Sequence, residues 1–399
     1  MTEGTLEHMI ELDYILNQFS KVKVNKMKPV IRNILRSAVY QLKYMDSVPD
    51  SAVCNEAVKL TVKKGFGTLR GFVNGVLRNV ARGLDQVEYP AEGIERLSVV
   101  YSMPEWILKL WKKTYDLDVI ESMLQAFQEE TPVTIRCNLA KTTPENLKES
   151  LQKEGVTVTP HPYLSYAFRI QDYDHLSELE SFQKGEFYVQ DISSMLVGEL
   201  ADPKKGDRVI DVCAAPGGKA LHVAEKLRGT GSVEARDLSL YKVGLITENI
   251  ERSGLTNIHA VQKDATVCDA DVKDAADLVI ADLPCSGLGV LAKKTDLKYK
   301  ATEQSTKELA GLQREILKNA ASYVRPGGTL IYSTCTINPA ENIENVHWFL
   351  KEFPEFVLDP IADRLCSTLQ NSVEEAGCLQ LLPGIHKSDG FFIARFGKK

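Results

Sequence analysis

From residue 206 onward, short apolar runs alternate with amphipathic helical patterns along the chain. The runs RVIDVCA, GSVEARD, IHAVQKD, DLVIADLP and GTLIYSTC have the length and the β-branched content of buried strands. Helical patterns such as LYKVGLITENIERSG lie between them, and this one ends at a glycine. Apolar strands separated by helices predict a mostly parallel sheet that is covered on both faces. We therefore predict a doubly wound α/β domain over residues 206–399, which binds its ligands beyond the carboxyl ends of the strands.

The rest of the chain predicts two further domains, which suits a length of 399 residues. Residues 1–84 carry helical repeats of apolar residues and predict an all-α domain. Residues 95–205 predict linker helices followed by a small α+β domain, because TPVTIRCNLA, TPENLKESLQKEG and VTVTPH have a strand–helix–strand pattern. The polar stretch GLDQVEYPAEG predicts a linker between the all-α domain and the segment 95–205. Near the C-terminus, GFFIARF predicts a late, antiparallel edge strand of the third domain.

Charge is distributed unevenly along the chain, whose net charge is −6. The segment from Lys21 to Arg82 has 13 basic and 3 acidic residues, which makes it +10 and leaves −16 on the rest. A basic lobe on an acidic body is compatible with docking on a polyanion. A helical domain with solvated lysines explains the same charges, so charge alone leaves both interpretations open.

Composition excludes several classes of protein. No run of ~18 apolar residues is present, so we expect no membrane span. The start of the chain, MTEGTLEHMIELD, lacks the basic and apolar regions of a secretory signal. The 8 cysteines form no C-x-x-C pair, which argues against a zinc site and against a disulfide framework. We therefore expect reduced thiols, no metal and a cytoplasmic location.

The loop DVCAAPGGKA connects the first strand of the α/β domain to its first helix. Gly217 and Gly218 allow a ligand to approach the backbone at a helix N-terminus. Asp237 ends the second strand at the spacing from which an acidic residue reaches ribose hydroxyls. Asp264 and Asp282 follow the third and fourth strands. Any single aspartate is explained by helix capping, but an acidic crevice disfavours a pyrophosphate and the set favours S-adenosylmethionine, which has a ribose, an adenine amine and a cationic centre.

Two cysteines lie at the same predicted edge of the sheet. Cys285 follows the fourth strand and Cys335 ends the fifth. A single buried cysteine usually packs as a small hydrophobic residue, but two cysteines at this edge favour a catalytic role. A thiolate that adds to carbon 6 of cytosine converts the ring to an enamine, whose carbon 5 then attacks a methyl sulfonium. The pKa of a free cysteine is about 8.5, so a cation or a helix N-terminus must lower it.

The motifs CAAPGGK (213–219), DLPCSG (282–287) and YSTC (332–335) resemble those of the bacterial ribosomal RNA cytosine-5 methyltransferases, the Sun/Fmu branch of the NOL1/NOP2/Sun family. YSMPEWILKLW, FYVQDISSML and DGFFIARF extend the likeness over nearly the whole chain. The resemblance implies a NusB-like RNA-binding domain at 1–84, an RRM-like domain within 95–205 and a Rossmann-like methyltransferase domain at 206–399. It also implies S-adenosylmethionine as cofactor, 16S ribosomal RNA or its precursor as partner, and a monomer.

The resemblance assigns a role to each matching residue. It makes Cys335 the nucleophile and Cys285 the residue that helps to release the methylated product. Asp282 is placed against the methionine end of the cofactor and the target base, where it hydrogen-bonds N3 of cytosine or, if protonated, stabilises the enamine. Asp237 is expected to hold the ribose hydroxyls, Asp264 to meet the adenine, and Lys242 to lie beside the cofactor. The loop that lines the methionine and the ribose, with a cysteine that need not react, comprises Cys213, Ala214, Ala215, Pro216, Gly217, Gly218 and Lys219.

The sequence departs from the family pattern in three places. The helical domain begins late, so we expect it to lack its first one or two helices. Lys242 stands where relatives often carry arginine, which replaces a bidentate contact by a point charge. Ala340, in NPAEN, stands where relatives commonly have an acid, so we expect a differently shaped loop after Cys335.

Three alternative functions can be compared. The same chemistry on transfer RNA or on another ribosomal site is not separated by the motifs, although the NusB-like lobe favours the ribosomal branch. A non-catalytic RNA-binding or antitermination factor is disfavoured, because an inert descendant has no reason to keep both Cys285 and Cys335. A dinucleotide-dependent dehydrogenase is disfavoured by the missing G-x-G-x-x-G pattern.

Overall fold

The computed structural model describes residues 1–373 and 375–399. They divide into two compact units, one of Met1–Gln128 with Leu291–Lys300 and the other of Glu129–Val290 with Ala301–Lys399. The helices between 93 and 128, which we predicted as the start of the middle domain, belong to the first unit. The domain boundaries predicted from the sequence stay a prediction.

The first unit is helical, and its helices have one apolar face. In the helix that starts at Pro29, the buried residues include Ile31, Leu35 and Val39, which follow the helical period and pack into the core of this unit. The short inserted helix belongs to this unit as well, and the Lys298 amine donates to the Glu7 carbonyl over 2.8 Å. The helices are α1 (Thr2–Glu7), α2 (Met9–Phe19), α3 (Pro29–Tyr44), α4 (Asp50–Lys63), α5 (Arg70–Gly83), α6 (Gly93–Val100), α7 (Glu105–Trp111), α8 (Leu117–Gln128) and the inserted α14 (Leu297–Lys300).

The second unit begins with a four-stranded antiparallel sheet. Its order is β2-β3-β1-β4, and Ile135 of the first strand lies opposite Phe168 of the third. The βαββαβ succession is that of a ferredoxin-like domain, so the prediction of a small α+β domain is confirmed. The elements are β1 (Val133–Cys137), α9 (Pro144–Lys153), β2 (Thr157–Pro160), β3 (Ala167–Gln171), α10 (Glu180–Gln183) and β4 (Phe187–Val189).

A mostly parallel sheet follows in the same unit, with the order β10-β12-β9-β8-β5-β6-β7 and with β11 paired to β12. The strands from β9 to β7 in this order run parallel to one another. The elements are α11 (Ile192–Ala201), β5 (Arg208–Asp211), α12 (Gly218–Lys226), β6 (Ser232–Asp237), α13 (Leu240–Ser253), β7 (Ile258–Gln262), β8 (Ala276–Asp282), α15 (Glu303–Tyr323), β9 (Val324–Thr334), α16 (Ile343–Glu352), β10 (Phe356–Leu358), α17 (Ser367–Gln370), β11 (Cys378–Leu381) and β12 (Phe391–Lys398). Short 3-10 helices lie at Val24–Lys26, Gly67–Leu69, Leu84–Gln86, Leu176–Glu178, Ala270–Val272, Pro339–Glu341 and Ala362–Arg364.

The apolar strand centres explain this architecture. In β8, Leu278 and Ile280 pack into one apolar core while Val279 and Ala281 pack into a second. A strand whose two faces are both buried needs helices on both sides of the sheet. The predicted doubly wound α/β domain is therefore confirmed.

The C-terminal strand corrects one prediction. β12 runs antiparallel to β9, as expected, but it is not an edge strand, because β10 and β11 pair with its other side. Residues 391–396 are all buried and do not alternate with polar ones, as they would on a one-sided edge. In the described part of the chain, no helix has both the length and the apolarity needed to cross a membrane.

Candidate active site

The carboxyl ends of neighbouring parallel strands bring the predicted site residues to one edge of the sheet. Asp282 ends β8, Asp211 ends β5 and Asp237 ends β6, and these three strands are consecutive neighbours. Cys335 directly follows β9, which pairs with β8 on its far side. The backbone hydrogen bonds of the sheet fix the order and direction of the strands. The acidic residues and the cysteine therefore lie at the same edge without the help of long loops.

The glycine-containing loop after β5 is fixed to the end of β6. The Ala215 amide donates to Asp237 Oδ2 over 3.1 Å, and the Ala214 amide donates to the Arg236 carbonyl over 2.7 Å. Gly217, which directly precedes α12, has a φ of 107°, in the left-handed region where a side chain is strained. The loop therefore presents its backbone and the N-terminus of α12 to the strand-end aspartates.

Asp237 is buried and acts only as an acceptor within the described residues. Besides the Ala215 amide, it accepts the Leu238 amide on Oδ1 over 2.8 Å, and the Lys242 amine lies 3.1 Å from the same oxygen. These bonds fix the carboxylate at the strand end, where its remaining lone pairs suit hydroxyl donors. Lys242 thus contacts the site through Asp237.

Asp211 is a site residue that the sequence analysis missed. Its side chain is 1% exposed, Oδ1 accepts the Cys213 amide over 3.4 Å, and Oδ2 has no hydrogen-bond partner among the described residues. Burial, followed by the charge of Asp282, raises the pKa of Asp211 to about 7. Its position at the end of β5, equivalent to that of Asp237 on β6, was the signal available in the sequence.

The unpartnered oxygen of Asp211 tests whether this edge fits the predicted cofactor. A buried carboxylate oxygen without a partner is costly, and a bound cation or N–H group removes that cost. S-adenosylmethionine has a sulfonium, an ammonium and ribose hydroxyls, all of which suit carboxylate acceptors. The residues present therefore fit this cofactor.

A lysine–carboxylate pair occupies the centre of the edge. The Lys219 amine lies 2.7 Å from Asp282 Oδ2, donates to Ser194 Oγ over 3.1 Å and lies 5.4 Å from the ring centre of Phe391. The Ser333 hydroxyl donates to the other oxygen of Asp282 over 2.7 Å. Burial alone would lower the pKa of Lys219, but the charge and hydrogen bond of Asp282, with further charges on Asp211 and Cys335, raise it. Lys219 is therefore a cation at this edge.

The two predicted catalytic cysteines are in contact. Cys285 Sγ lies 3.2 Å from Cys335 Sγ, and no disulfide joins them. The Gly289 amide donates to the Cys335 carbonyl over 3.1 Å, which ties the loop of one cysteine to the backbone of the other. The hydrogen bond with Cys335, together with burial, raises the pKa of Cys285 well above its usual range.

Cys213 and Asp264 differ from the central group. Burial and the charge of Asp211 raise the pKa of Cys213, which agrees with a loop cysteine that does not react. Asp264 is exposed, its carboxylate accepts the Thr266 amide over 2.9 Å and the Thr266 hydroxyl over 2.7 Å, and these bonds lower its pKa. No hydrogen bond or ion pair of the described residues connects Asp264 to the other strand-end aspartates, and its contact with adenine stays a prediction.

This arrangement combines a nucleophile and a ligand cradle. A thiol pair lies within electrostatic reach of a lysine cation, and three carboxylates with a glycine-containing loop lie on the adjoining strands. A cation and a neighbouring thiol that donates a hydrogen bond both favour a thiolate. The edge is therefore equipped for nucleophilic attack on a substrate held next to a hydroxyl-bearing, cationic ligand.

Comparison with known protein families gives matches along nearly the whole chain. Residues 199–397 match the family described as 16S rRNA methyltransferase RsmB/F, and residues 1–82 match the NusB family. Residues 103–174 match the ferredoxin-like domain of RsmF/B-like methyltransferases. The three kinds of domain predicted from the sequence are thereby confirmed.

Curated relatives and solved structures agree with these matches. The chain is 38% identical over 399 residues to the probable ribosomal RNA small subunit methyltransferase B of Bacillus subtilis, covering 99% of this chain and 89% of that protein. The corresponding protein of Synechocystis is 34% identical over 401 residues, with the same coverage. The crystal structure of PH0851 has a TM-score of 0.84 at 27% identity, covering 99% of this chain and 88% of its own. NSun6 from Pyrococcus horikoshii with SFG has a TM-score of 0.63 at 25% identity, covering 78% and 98%.

Proposed function

Because the chain belongs to the RsmB/F family of 16S rRNA methyltransferases, we propose that it methylates carbon 5 of a cytosine in 16S rRNA through a covalent bond between Cys335 and carbon 6. The observation that carries this proposal is the contact of the Cys285 and Cys335 sulfurs, 3.2 Å apart. Simple methyl transfer to an oxygen or nitrogen atom requires no thiol pair, whereas attack by a pyrimidine carbon requires a nucleophile that activates the ring.

Lys219 supports the formation of the nucleophile. Cys335 acts electrostatically on this lysine and raises its pKa, and the same interaction stabilises a thiolate on Cys335. Asp282 holds the amine in place through the 2.7 Å ion pair. The neighbouring thiol of Cys285 donates to the thiolate and adds to its stabilisation. Asp282 itself is held on both oxygens, by Lys219 and by the Ser333 hydroxyl.

The cytosine ring then reacts in two bond-forming steps. The Cys335 thiolate bonds to carbon 6, and the electrons of the C5–C6 double bond move into the ring. S-adenosylmethionine, when bound, would supply a methyl group on a cationic sulfonium, and transfer of that group to carbon 5 would leave its sulfur as a neutral thioether. Asp237, Asp211 and the loop from Cys213 to Lys219 are the residues that would hold it at the strand ends.

Cys285 accounts for release of the product. Once the Cys335 sulfur is bonded to carbon, it is no longer an anion, so the largest influence that raises the pKa of Cys285 is removed. Cys285 can then lose its own proton to solvent and, as a thiolate, take the proton from carbon 5. The electrons of that C–H bond restore the double bond and expel Cys335 as a thiolate, which completes the cycle.

The first unit supplies a basic surface for RNA. Ten of the basic residues counted from Lys21 to Arg82 are exposed, namely Lys21, Lys23, Lys26, Lys28, Lys59, Lys63, Lys64, Arg70, Arg78 and Arg82. Phosphate contacts of this kind give affinity without sequence specificity. The target base must leave its stack to reach Cys335, at a cost of a few kcal/mol that is smaller for an unpaired base. A monomeric state and a cytoplasmic location stay predictions.

The test of this proposal is a methylation assay with nucleoside analysis. The full-length protein is incubated with S-adenosylmethionine and 16S rRNA, 23S rRNA or transfer RNA, and the digested RNA is analysed by mass spectrometry. We expect 5-methylcytidine in 16S rRNA and none with Cys335→Ser. Methylation of transfer RNA or 23S rRNA instead would support the alternative substrates, and a methyl group on another atom of the base would overturn the proposed chemistry.

A further inference from the structure

A buried carboxylate lies behind the thiol pair and has no role in the steps above. Glu341 ends the 3-10 turn Pro339–Glu341, which begins four residues after Cys335. Glu341 is 0% exposed. Burial of an unpaired carboxylate is strongly unfavourable, so the contacts of Glu341 indicate what the fold uses it for. The neighbouring Ala340 is apolar and leaves Glu341 as the acid of this turn.

Four donors converge on the Glu341 carboxylate. The Ser286 amide donates to Oε2 over 2.8 Å and the Ser286 hydroxyl to Oε1 over 2.5 Å. Asn338 Nδ2 donates to Oε1 over 2.9 Å, and Gln313 Nε2 to Oε2 over 3.1 Å. These donors satisfy both oxygens of the carboxylate and so offset the cost of burying it. Two of these bonds reach the residue directly after Cys285, so Glu341 fixes the loop of that cysteine.

The same cluster reaches the residue directly after Cys335. The Ser286 and Thr336 hydroxyls lie 2.7 Å apart, and the Gln313 amide that donates to Glu341 also donates to the Pro284 carbonyl over 2.8 Å. The residues that flank the two cysteines, Pro284, Ser286 and Thr336, are therefore joined to one buried polar network. The network therefore links the loops that carry the two sulfurs, which lie 3.2 Å apart.

We propose that Glu341 is a positioning residue that decides which sulfur of the pair keeps the proton, holding it on Cys285 so that Cys335 becomes the nucleophile. The proposal rests on the proposed function and adds to it the reason for the division of roles between the two thiols. When the pair loses one proton to solvent, the remaining proton stays on Cys285 and is donated to the Cys335 sulfur. The anion is then on the sulfur that acts electrostatically on Lys219, and the proton is on the sulfur whose loop is held by Glu341.

The charges that face the pair support this asymmetry. The hydrogen bond with Cys335 and burial raise the pKa of Cys285 most, and the charge of Glu341 raises it further. The hydrogen bond with the Gly287 backbone lowers it. Tyr332 also faces Cys285, but burial raises the pKa of its phenol well above the usual range, so it stays neutral. On the Cys335 side, Lys219 is the cation, and Asp282 and Asp211 are the acids beside it. Two titratable groups whose surroundings separate their pKa values are suited to different roles.

A titration of the two thiols by alkylation tests the proposal without RNA or cofactor. The full-length protein is treated with iodoacetamide at a series of pH values, and the modification of Cys285 and Cys335 is followed separately by peptide mass spectrometry. We expect Cys335 to react first, with a midpoint at least about one pH unit below that of Cys285. If Cys285 reacts first in the unmodified protein, the proposal is overturned, and this result does not depend on any variant being folded.

Variants at Glu341 then separate its charge from its packing. In Glu341→Gln we expect the midpoint of Cys285 to fall by about one pH unit, because a buried charge nearby is removed. Glu341→Asp keeps the charge and should restore most of the difference. Glu344→Gln removes an equal charge from an exposed position on α16 and should leave both midpoints unchanged. Identical midpoints for Cys285 in Glu341→Gln and in the unmodified protein would contradict the proposal.

The outcome is independent of the test of the proposed function. Absence of 5-methylcytidine together with the expected difference between the midpoints of the two thiols would contradict the proposed methylation and leave the assignment of the proton intact. Methylation of cytosine together with equal midpoints of the two thiols would support the proposed methylation and overturn the assignment of the proton. In the methylation assay, Glu341→Gln should lower kcat about tenfold with little change of KM for RNA, since the carboxylate acts on the thiols and not on RNA binding.

Discussion

Cys285 and Cys335 are 50 residues apart in the sequence, and their sulfur atoms lie 3.2 Å from each other. Each follows the carboxyl end of a strand, β8 and β9, and these two strands are neighbours in the parallel sheet. A hydrogen bond from the Gly289 amide to the Cys335 carbonyl holds the two loops together. The contact therefore follows from the strand order, and in the proposed reaction one of the two thiols attacks the base and the other releases the product.

Replacement of Cys285 tests the release step. In Cys285→Ser we expect methyl transfer to occur but the covalent RNA–protein complex to persist, because no thiol remains to accept the proton from carbon 5. A slowly migrating complex on denaturing gels is the measurement. Cys366→Ser, which removes a half-buried thiol that has no assigned role, is the control and should form no such complex. Rapid turnover by Cys285→Ser would remove the assigned role.

Replacement of Lys219 tests the activation of the nucleophile. Lys219→Met removes the cation that stabilises a thiolate on Cys335, so the pKa of that thiol rises and the pH–rate profile moves to higher pH. At pH 7 we expect methyl transfer to fall about 10- to 100-fold, which corresponds to a pKa change of one to two units. Lys226→Met, at the other end of α12 and paired with Glu199 over 2.7 Å, is the matched control. An unshifted profile in Lys219→Met would exclude this role.

Replacement of Asp237 tests the cofactor cradle. Asp237→Ala removes the acceptor at the end of β6 and also the partner of the Ala215 amide. We expect the affinity for S-adenosylmethionine, measured by calorimetry, to fall about 10- to 100-fold, equivalent to about 1.4 to 2.8 kcal/mol. Asp264→Ala should cost less, because that carboxylate is exposed and bonded to Thr266. Equal affinities of Asp237→Ala and the unmodified protein would overturn the ribose assignment.

The pKa of Asp211 predicts a pH-dependent stability of the cofactor-free protein. Its folded-state pKa of about 7 exceeds the ordinary value of 3.8, so the folded protein binds the proton more tightly than the unfolded chain. Stability from this group is therefore present at low pH and is lost as the pH rises from about 4 to about 7, by up to ~4 kcal/mol. Asp211→Asn should remove this loss.

The measurement for Asp211 is a pair of thermal unfolding curves at pH 5 and pH 8 without cofactor. We expect Asp211→Asn to raise the Tm at pH 8 more than at pH 5, and cofactor binding to the unmodified protein to reduce the difference between the two pH values. Parallel shifts of Tm at both pH values would show that Asp211 is not protonated in the folded state at pH 5.

The residues that sequence reasoning located are those placed by strand ends. The hydrophobic pattern shows where each buried strand ends, and a parallel sheet places the carboxyl ends of its strands at one edge. This predicted a common edge for Asp237, Asp282, Cys285 and Cys335. The family matches confirm the kinds of domain that the patterns predicted. The contacts of Asp264 with the cofactor remain a prediction, since this residue bonds to its own turn.

The residues that were missed depend on tertiary contacts. Asp211 stood in the quoted loop motif, but an unpartnered oxygen is a property of the folded site and cannot be inferred from spacing. Glu341 is acidic in a polar stretch, and its complete burial results from Ser286 and Gln313, which come from other loops and helices. The interior position of β12 depended on β10 and β11, whose short runs give little sequence signal.

The most direct measurement locates the covalent bond. The complex trapped with Cys285→Ser is digested with trypsin and nuclease, and the nucleotide-bearing peptide is sequenced by mass spectrometry. We expect a methylated cytidine nucleotide attached to the sulfur of Cys335, and no adduct in the double variant Cys285→Ser with Cys335→Ser. A nucleotide on any other residue, or a complex that persists without Cys335, would contradict it.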